Sequence, residues 1–315
     1  MLLNFTQLEI FHTAAIKKNF SETAKTLHMS QPSVSMYIQQ LEESLNTVLF
    51  KRTTKKIYLT PAGELLFQSA EAILNKVHDT RKQLQQLSES IHGNLIIGAS
   101  LTIGEHILPY LFGAFKQQYP DVTIVLKIYN SEQIIKKLDN GEIHLGFIES
   151  MISYPEFVQE PFMEDELVII SSCTKPWTKN EYITPEQLFS IPFIIREKGS
   201  GTRQVMEETL KQNQLNPAKL QTILELENTE SIKSAVESGM GISILSKAAV
   251  QKELTLPSLH QLSIDDITLQ RSLYSIYKKH QIPLSGEAFL QFVQEHITDD
   301  RLPFNHFSPS PIPHQ

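Results

Sequence analysis

Ser30-Gln31-Pro32-Ser33-Val34-Ser35-Met36-Tyr37-Ile38-Gln39-Gln40-Leu41-Glu42-Glu43-Ser44-Leu45 is the stretch that decides the fold of the first module. Ser30 is a good helix N-cap, and Pro32 falls in the first turn, where its missing N–H costs little. Val34, Ile38, Leu41 and Leu45 then recur at intervals of four, three and four and form one apolar stripe along a helix. At about 100° per residue Met36 points away from that stripe, flanked by Pro32, Ser33, Ser35, Gln39 and Gln40. A face of hydroxyls and amides without bulky acids suits entry into a major groove about 12 Å wide. A merely solvated helix face carries more Glu and Lys than this one.

Upstream, Leu8, Phe11, Ala15 and Ile16 recur at helical spacing and predict an amphipathic helix ending near Asn19. Ser21 reads as the cap of a short second helix with Ala24 and Leu27 facing inward, and His28-Met29 as the turn before Ser30. Downstream, Leu49-Phe50-Lys51-Arg52-Thr53-Thr54-Lys55-Lys56-Ile57-Tyr58-Leu59-Thr60 reads as two short strands around a cationic turn. Arg52 and Lys55 on such a wing suit phosphates and a narrow, electronegative minor groove, the alternative being a solvated charge run. The chain's net charge of -7 looks wrong for a DNA binder until it is divided along the sequence. Residues 1–60 hold Lys17, Lys18, Lys25, Lys51, Arg52, Lys55 and Lys56 against Glu9, Glu22, Glu42 and Glu43, so the basic excess is confined to this module.

The run Phe20-Ser21, Ala24-Lys25, Leu27, Ser30-Gln31-Pro32-Ser33-Val34-Ser35, Ile38, Leu41-Glu42, Leu49-Phe50, Arg52, Leu59-Thr60-Pro61-Ala62-Gly63 resembles the signature of LysR-type transcription regulators. The resemblance implies that Gln31, Pro32, Ser33 and Ser35 approach DNA, with Arg52 on the wing; Met36, Gln39 and Lys55 complete the candidate set. Met36 stands where many members carry arginine, which favours contact with a thymine methyl over guanine readout. Asn46 stands where glycine is common, and asparagine tolerates the left-handed conformation that ends a helix.

From Pro61 onward Leu66, Ala70, Ile73, Val77, Thr80, Leu84, Leu87 and Ile91 alternate spacings of four and three, a heptad pattern with Thr80 its one polar member. Packing against the chain's own larger domain is the alternative to a helical partner, and the resemblance implies a homodimer through this helix. After Ile91-His92-Gly93 the pattern changes to strand and helix in alternation. Leu95 to Ala99, Ile103 to Gln118, Val122 to Ile128, Ser131 to Asn140 and Ile143 to Ile148 read as β-α-β-α-β. A second set has strands near Leu167 to Ser171, Phe193 to Ile195 and Ile223 to Leu226, with helices from Thr202 and after Thr229. A return strand at Leu273 to Tyr277 and a helix from Ser285 close the count.

The expected fold is α/β: a winged helix-turn-helix at 1–60, a dimerisation linker helix at 61–91, and a two-lobed domain at 92–298 resembling periplasmic-binding-protein-like effector domains. Lobe I takes about 92–162 and 267–298, lobe II about 163–266, and the proline-bearing tail at 299–315 reads as disordered. Ala99-Ser100-Leu101-Thr102 and Gly199-Ser200-Gly201-Thr202 each open a helix with hydroxyls and free amides, a setting that holds carboxylate, sulfate or phosphate. Ordinary capping explains either alone, but equivalent places in two lobes face each other across a cleft. Ser100, Thr102, Ser200, Gly201 and Thr202 are therefore the candidate effector contacts, with Arg196 or Arg203 in addition and Glu149 at the end of a nearby strand. The effector is expected to be an anionic or zwitterionic small molecule whose binding closes the lobes. The two turns look most like members governing sulfur or carbon assimilation.

The same reading expects no cofactor and no metal, since Cys173 is the one cysteine and no metal-spaced histidine cluster occurs. It expects no membrane span, a cytoplasmic location, double-stranded promoter DNA and RNA polymerase as partners, and a homotetramer built from homodimers. A cytoplasmic solute-binding or enzymatic two-lobed protein with an accessory DNA-binding module is the competing reading. It lacks a nucleophile elbow or a phosphate loop to support it.

Overall fold

The computed structural model describes residues 4–27, 29–52, 57–86, 90–150, 156–174, 181–265, 267–278 and 281–298, in two compact units that divide between Glu89 and Ser90. His28, Lys55, Leu87 and the 299–315 tail lie outside the described residues, as do the side chains of Arg52 and Leu84.

In the first unit α1 (Phe5–Lys17), α2 (Phe20–Thr26) and α3 (Gln31–Leu45) close around Leu8, Phe11, Ala14, Val34, Ile38 and Leu41, all buried. The hairpin of β1 (Phe50–Arg52) and β2 (Ile57–Leu59) adds Leu49 and Phe50 to that core. Asn19, not Ser21, caps α2: its Oδ1 accepts from the amides of Ser21 and Glu22 at 2.8 and 3.1 Å. The earlier start brings Phe20 into the helix, where its ring meets Phe50 edge-on at 5.7 Å. Ile16 and Leu45, expected in the stripes, are 45% and 37% exposed, because both lie in final turns that run past the small core. Asn46 ends α3 at φ 48° and ψ 39°, the left-handed conformation its side chain tolerates.

Two carbonyl and carboxylate contacts lock the module. Glu42 Oε1 accepts from the amides of Leu49 and Phe50 at 2.7 and 3.1 Å and so fastens α3 to the wing. Thr60 Oγ1 donates to the Val48 carbonyl at 2.7 Å and accepts from the Gly63 amide at 3.0 Å, starting the long α4 (Pro61–Gln86). A Cβ on Gly63 would stand 2.3 Å from the Leu49 carbonyl oxygen, so only glycine lets α4 approach so closely. Gly63→Ala is expected to lower the stability of this unit by about 1–3 kcal/mol, the usual range for overpacking. Chemical denaturation followed by circular dichroism checks it, and an unchanged midpoint would mean that α4 yields without cost.

Within α4 the apolar repeat is divided between two uses. Ala70 is fully buried and Leu66 packs on the core of the module itself, while Ile73 is 40% exposed and Thr80 is exposed. The first part of the heptad pattern therefore serves the chain's own module, while of the remainder Ile73 and Thr80 are exposed and Val77 half-buried.

The second unit runs β3 (Gly93–Ala99), α5 (Leu101–His106), α6 (Leu108–Gln118), β4 (Val122–Ile128), α7 (Ser131–Asp139), β5 (Leu145–Ile148) and β6 (Phe157–Ser172). It continues through β7 (Tyr182–Ile183), α8 (Pro185–Leu188), β8 (Pro192–Arg196), α9 (Gly201–Gln212), β9 (Gln221–Leu226), α10 (Thr229–Glu237), β10 (Ser243–Ser246), α11 (Lys247–Thr255), β11 (Leu259–Ile264), β12 (Gln270–Lys278) and α12 (Leu284–His296). The helix expected over 103–118 is two helices. Pro109 lacks the N–H that would bond back a turn, so a new helix begins at Leu108, with Ile107 at φ -120° between the two. β10, α11 and β11 went unread in the sequence.

One sheet runs through both parts of the unit in the order β4-β3-β5-β12-β6-β11-β7, with β10 also on β6, while β8 and β9 form a separate parallel pair. Strand β6 is the reason. Its first half pairs antiparallel with β12, and its second half pairs with β10 and β11. Two apolar cores form around these halves, one on Phe115, Phe147 and Phe289 and the other on Phe193, Met206 and Leu262, and they define two lobes. Both β6 and β12 cross between them, with Asp165 and Arg271 opposite each other at the crossing.

Candidate functional site

In the first unit, α3 presents its polar face as the sequence predicts. Gln31, Pro32, Met36 and Gln39 are exposed and Ser33 and Ser35 half-buried, with no acidic residue in the first turn. Ser30 Oγ accepts from the Ser33 amide at 3.2 Å, and Gln31 Nε2 donates to Ser35 Oγ at 2.9 Å, so the donors of this face are held in place in advance. On the wing, Lys51 and Tyr58 are paired across the two strands and both exposed. Arg52 ends β1, its side chain outside the described residues.

In the second unit the expected effector residues come together at the lobe boundary, around a carboxylate of the protein itself. Glu149, just past β5 in lobe I, is 2% exposed. Ser100 Oγ, at the start of α5, donates to Glu149 Oε1 at 3.0 Å, and Thr202 Oγ1, from α9 of the other lobe, lies 3.1 Å from Oε2. Arg271 completes the arrangement: its guanidinium stands 3.1 Å from Glu149 Oε2, 3.1 Å from Thr202 Oγ1 and 2.7 Å from Asp165 Oδ2. Asp165 Oδ1 accepts from Ser246 Oγ at 2.8 Å. A guanidinium on the crossing strands thus ties together the ends of β5, α9 and β10.

Backbone geometry makes this approach possible. Gly199 has φ +90°, and a Cβ on Gly201 would lie 2.6 Å from Glu149 Cβ and 2.9 Å from Ser131 Oγ. Only glycine allows α9 of lobe II to start so close to α7 and β5 of lobe I. Ser131 Oγ is buried there without a hydrogen-bond partner. Ser200 Oγ caps α9 through the Arg203 amide at 3.5 Å, whereas Ser100 makes no cap bond because its hydroxyl is turned to Glu149. Arg196 and Arg203, the further candidates, are engaged within lobe II, Arg196 with Glu197 and Arg203 with Glu207 and Glu225.

Burial alone would raise the Glu149 carboxyl, but Arg271, the hydroxyls of Thr102 and Ser100, and Arg196 outweigh it and hold it at about 2. One guanidinium serves two acids, and at Asp165 burial prevails over the contacts from Arg271 and Ser246, so its carboxyl lies above the ordinary value. The sign for Glu149 follows from linkage. Its folded value is depressed, so its stabilisation is present above the ordinary value of 4.5 and is lost as pH falls toward 2. The stability difference between the native chain and Glu149→Gln is expected to shrink as denaturation is repeated from pH 6 down to pH 3; a difference independent of pH would contradict an ionised Glu149.

Arg271, Asp165 and Ser131 are the members the sequence reading missed. Arg271 is in phase with Leu273 in β12 and with Leu269 just before it, all three buried. A cation on the apolar side of a strand demands a buried partner, and that was the available signal.

A helix-turn-helix with a basic wing, joined to a two-lobed α/β unit with polar helix starts at its lobe boundary, defines a DNA-binding regulator with a small-molecule domain. The profile described as "Bacterial regulatory helix-turn-helix protein, lysR family" matches residues 5–64, and that described as "LysR substrate binding domain" matches 88–298. The chain belongs to the LysR family of transcriptional regulators. It is 37% identical over 272 residues to a "Probable RuBisCO transcriptional regulator" of Cyanophora paradoxa, which covers 85% of this chain and 83% of that one. A protein of the same description from Trichormus variabilis is 34% identical over 291 residues, covering 90% and 86%. Among solved structures, the regulatory domain of Synechocystis CcmR in complex with 2-PG is 29% identical with a TM-score of 0.60, covering 67% of this chain and 99% of that domain. A full-length OxyR variant from Pseudomonas aeruginosa, at 21% identity, a TM-score of 0.65 and 95% coverage of each chain, shares the fold. No described helix is long and apolar enough to cross a membrane.

Proposed function

We propose that this regulator governs carbon-fixation genes in response to a small phosphorylated carboxylate of the 2-phosphoglycolate class. The observation that carries this reading is Glu149, which accepts from Ser100 and Thr202 of opposite lobes at 3.0 and 3.1 Å. These donors bind an anion, and the protein's own carboxylate occupies them. A ligand anion competes for the same hydroxyls and for the amides at Ser200, Gly201 and Thr202, with Thr102 and Ser131 beside them. Since Gly201 already meets Glu149, the ligand acts by exchanging with Glu149 and changing how the lobes are joined, not by closing an open cleft. The CcmR complex with 2-PG supports the choice of ligand, and the RuBisCO regulators support the choice of genes.

Gln31, Pro32, Ser33, Ser35, Met36 and Gln39 read base edges, while Arg52 and Lys55 hold phosphates. The uncovered part of α4 pairs with a second copy, the dimer doubles into a tetramer, and the assembly works in the cytoplasm with RNA polymerase. Calorimetric titration of the full chain with 2-phosphoglycolate tests the effector assignment. Binding that is lost in Thr202→Val and kept in Lys51→Gln is the expected result. Equal binding in both variants, or none in the native chain, would overturn it.

A further inference from the structure

Helix α5 is six residues long, about 9 Å from end to end, and its two ends face different surroundings. Ser100 stands at the end beside Glu149 and donates its hydroxyl to that carboxylate at 3.0 Å. His106, at the other end, lines a separate cavity of about 270 Å³ together with Tyr110 of lobe I and Glu230, Lys233, Lys252 and Glu253 of lobe II. Lys233 is 5% exposed, and its ammonium is held by Glu230 at 2.6 Å, Glu253 at 2.8 Å and the Ala249 carbonyl at 3.2 Å.

Two polar atoms of this cavity have no hydrogen-bond partner: Oε2 of Glu253 and Nε2 of His106, both buried. The Glu105 carboxylate comes no nearer to that nitrogen than 3.9 Å. Burial, then Lys233, lowers the His106 imidazole from its ordinary value, so near pH 7 it is neutral and its Nε2 can donate or accept. Glu253 Oε2 can only accept. Lys252, exposed on α11, stands at the mouth with a charged donor.

A carboxylate oxygen that needs a donor, lining one small cavity with an imidazole and a lysine, matches a ligand that carries both charges. A simple anion would face Glu230 and Glu253, and a simple amine would leave His106 and Lys252 unused. We propose that this cavity is a second ligand site, for a free α-amino acid, with the ammonium on Glu253 and the carboxylate on Lys252 and His106. The site lies between the lobes, and α5 connects it to Glu149. Occupancy here and the arrangement around Glu149 therefore bias one another, and the coupling is reciprocal by thermodynamic necessity. Binding at this second site is independent of which anion binds at Ser100 and Thr202, whereas its coupling to 2-phosphoglycolate rests on the effector reading above.

The test is calorimetric titration of the full chain with each of the twenty protein amino acids, with ethylamine and propionate as ligands that carry only one of the two charges. The expected result is that at least one amino acid binds about 10-fold or more tightly than either control, and that Glu253→Gln and Lys252→Gln each weaken it about 10-fold. Saturating 2-phosphoglycolate should also shift the amino-acid affinity in the native chain. Lys252 is exposed, so Lys252→Gln keeps the test decisive if Glu253→Gln fails to fold. Absence of any amino-acid binding beyond the controls overturns the proposal. So does binding that is untouched by Lys252→Gln but lost in Thr202→Val, which would place the amino acid beside Glu149 instead.

Discussion

Replacing Arg271 with leucine is expected to cost the second unit about 3–5 kcal/mol of stability, the range for removing one partner of a buried ion pair. The guanidinium is 2% exposed and faces two carboxylates, Glu149 and Asp165, which are 2% and 3% exposed. Leucine leaves Asp165 without its cation and Glu149 with only Arg196 in addition to neutral hydroxyls, which carry no charge to compensate. Arg271→Lys keeps one positive charge but not the planar fork that reaches Glu149, Thr202 and Asp165 together, so its loss should be smaller. Denaturant unfolding of the full chain, with the transition of each unit resolved, measures the effect. A loss below about 1 kcal/mol for Arg271→Leu would mean that the two carboxylates reach water or take up protons with little penalty. The triple change that also makes Glu149→Gln and Asp165→Asn should recover much of the stability, because the cost lies in the orphaned charges.

Ser35→Glu on α3 is expected to weaken promoter binding about 100-fold while leaving the unfolding midpoint of the first unit in place. Ser35 is half-buried at the flank of α3, between the Val34, Ile38 and Leu41 stripe and the exposed Met36, and its hydroxyl accepts from Gln31 at 2.9 Å. Losing one well-placed base contact costs about 1–3 kcal/mol, and a carboxylate in the groove adds repulsion from the phosphates on either side. Lys51→Gln on the wing should behave differently, lowering affinity alike on all sequences and reducing the salt slope by about 1. Fluorescence anisotropy with specific and random duplexes separates the two. Were Ser35→Glu to bind as the native chain does, α3 would not be the element in the groove.

Local elements were legible in the sequence wherever one residue type has one structural use. Ser30 and Pro32 start α3, Asn46 ends it, and Pro61 begins α4, each for the reason its chemistry supplies. Asn19 was missed because Ser21, two positions later, is an equally good cap, and only the seat of Phe20 against Phe50 decides between them. Ile16 and Leu45 failed because periodicity reports which way a side chain points but not how far the core extends. The candidate effector residues Ser100, Thr102, Ser200, Gly201 and Thr202 were picked out from local helix starts, and Glu149 from the end of a strand. The cation that joins them was hidden by distance along the chain: Arg271 and Asp165 meet only because β6 and β12 cross the lobe boundary in register. The same holds for His106 and Glu253, which no local pattern relates.

The most direct measurement of the whole account is anisotropy of a labelled duplex from the region upstream of the chain's own gene, titrated across salt with and without 2-phosphoglycolate. The expected result is preference over random DNA, an affinity that falls linearly on a double-logarithmic salt plot, and a midpoint that 2-phosphoglycolate moves in the native chain but not in Thr202→Val. Equal affinity for random DNA, or a response to 2-phosphoglycolate that survives Thr202→Val undiminished, would contradict it.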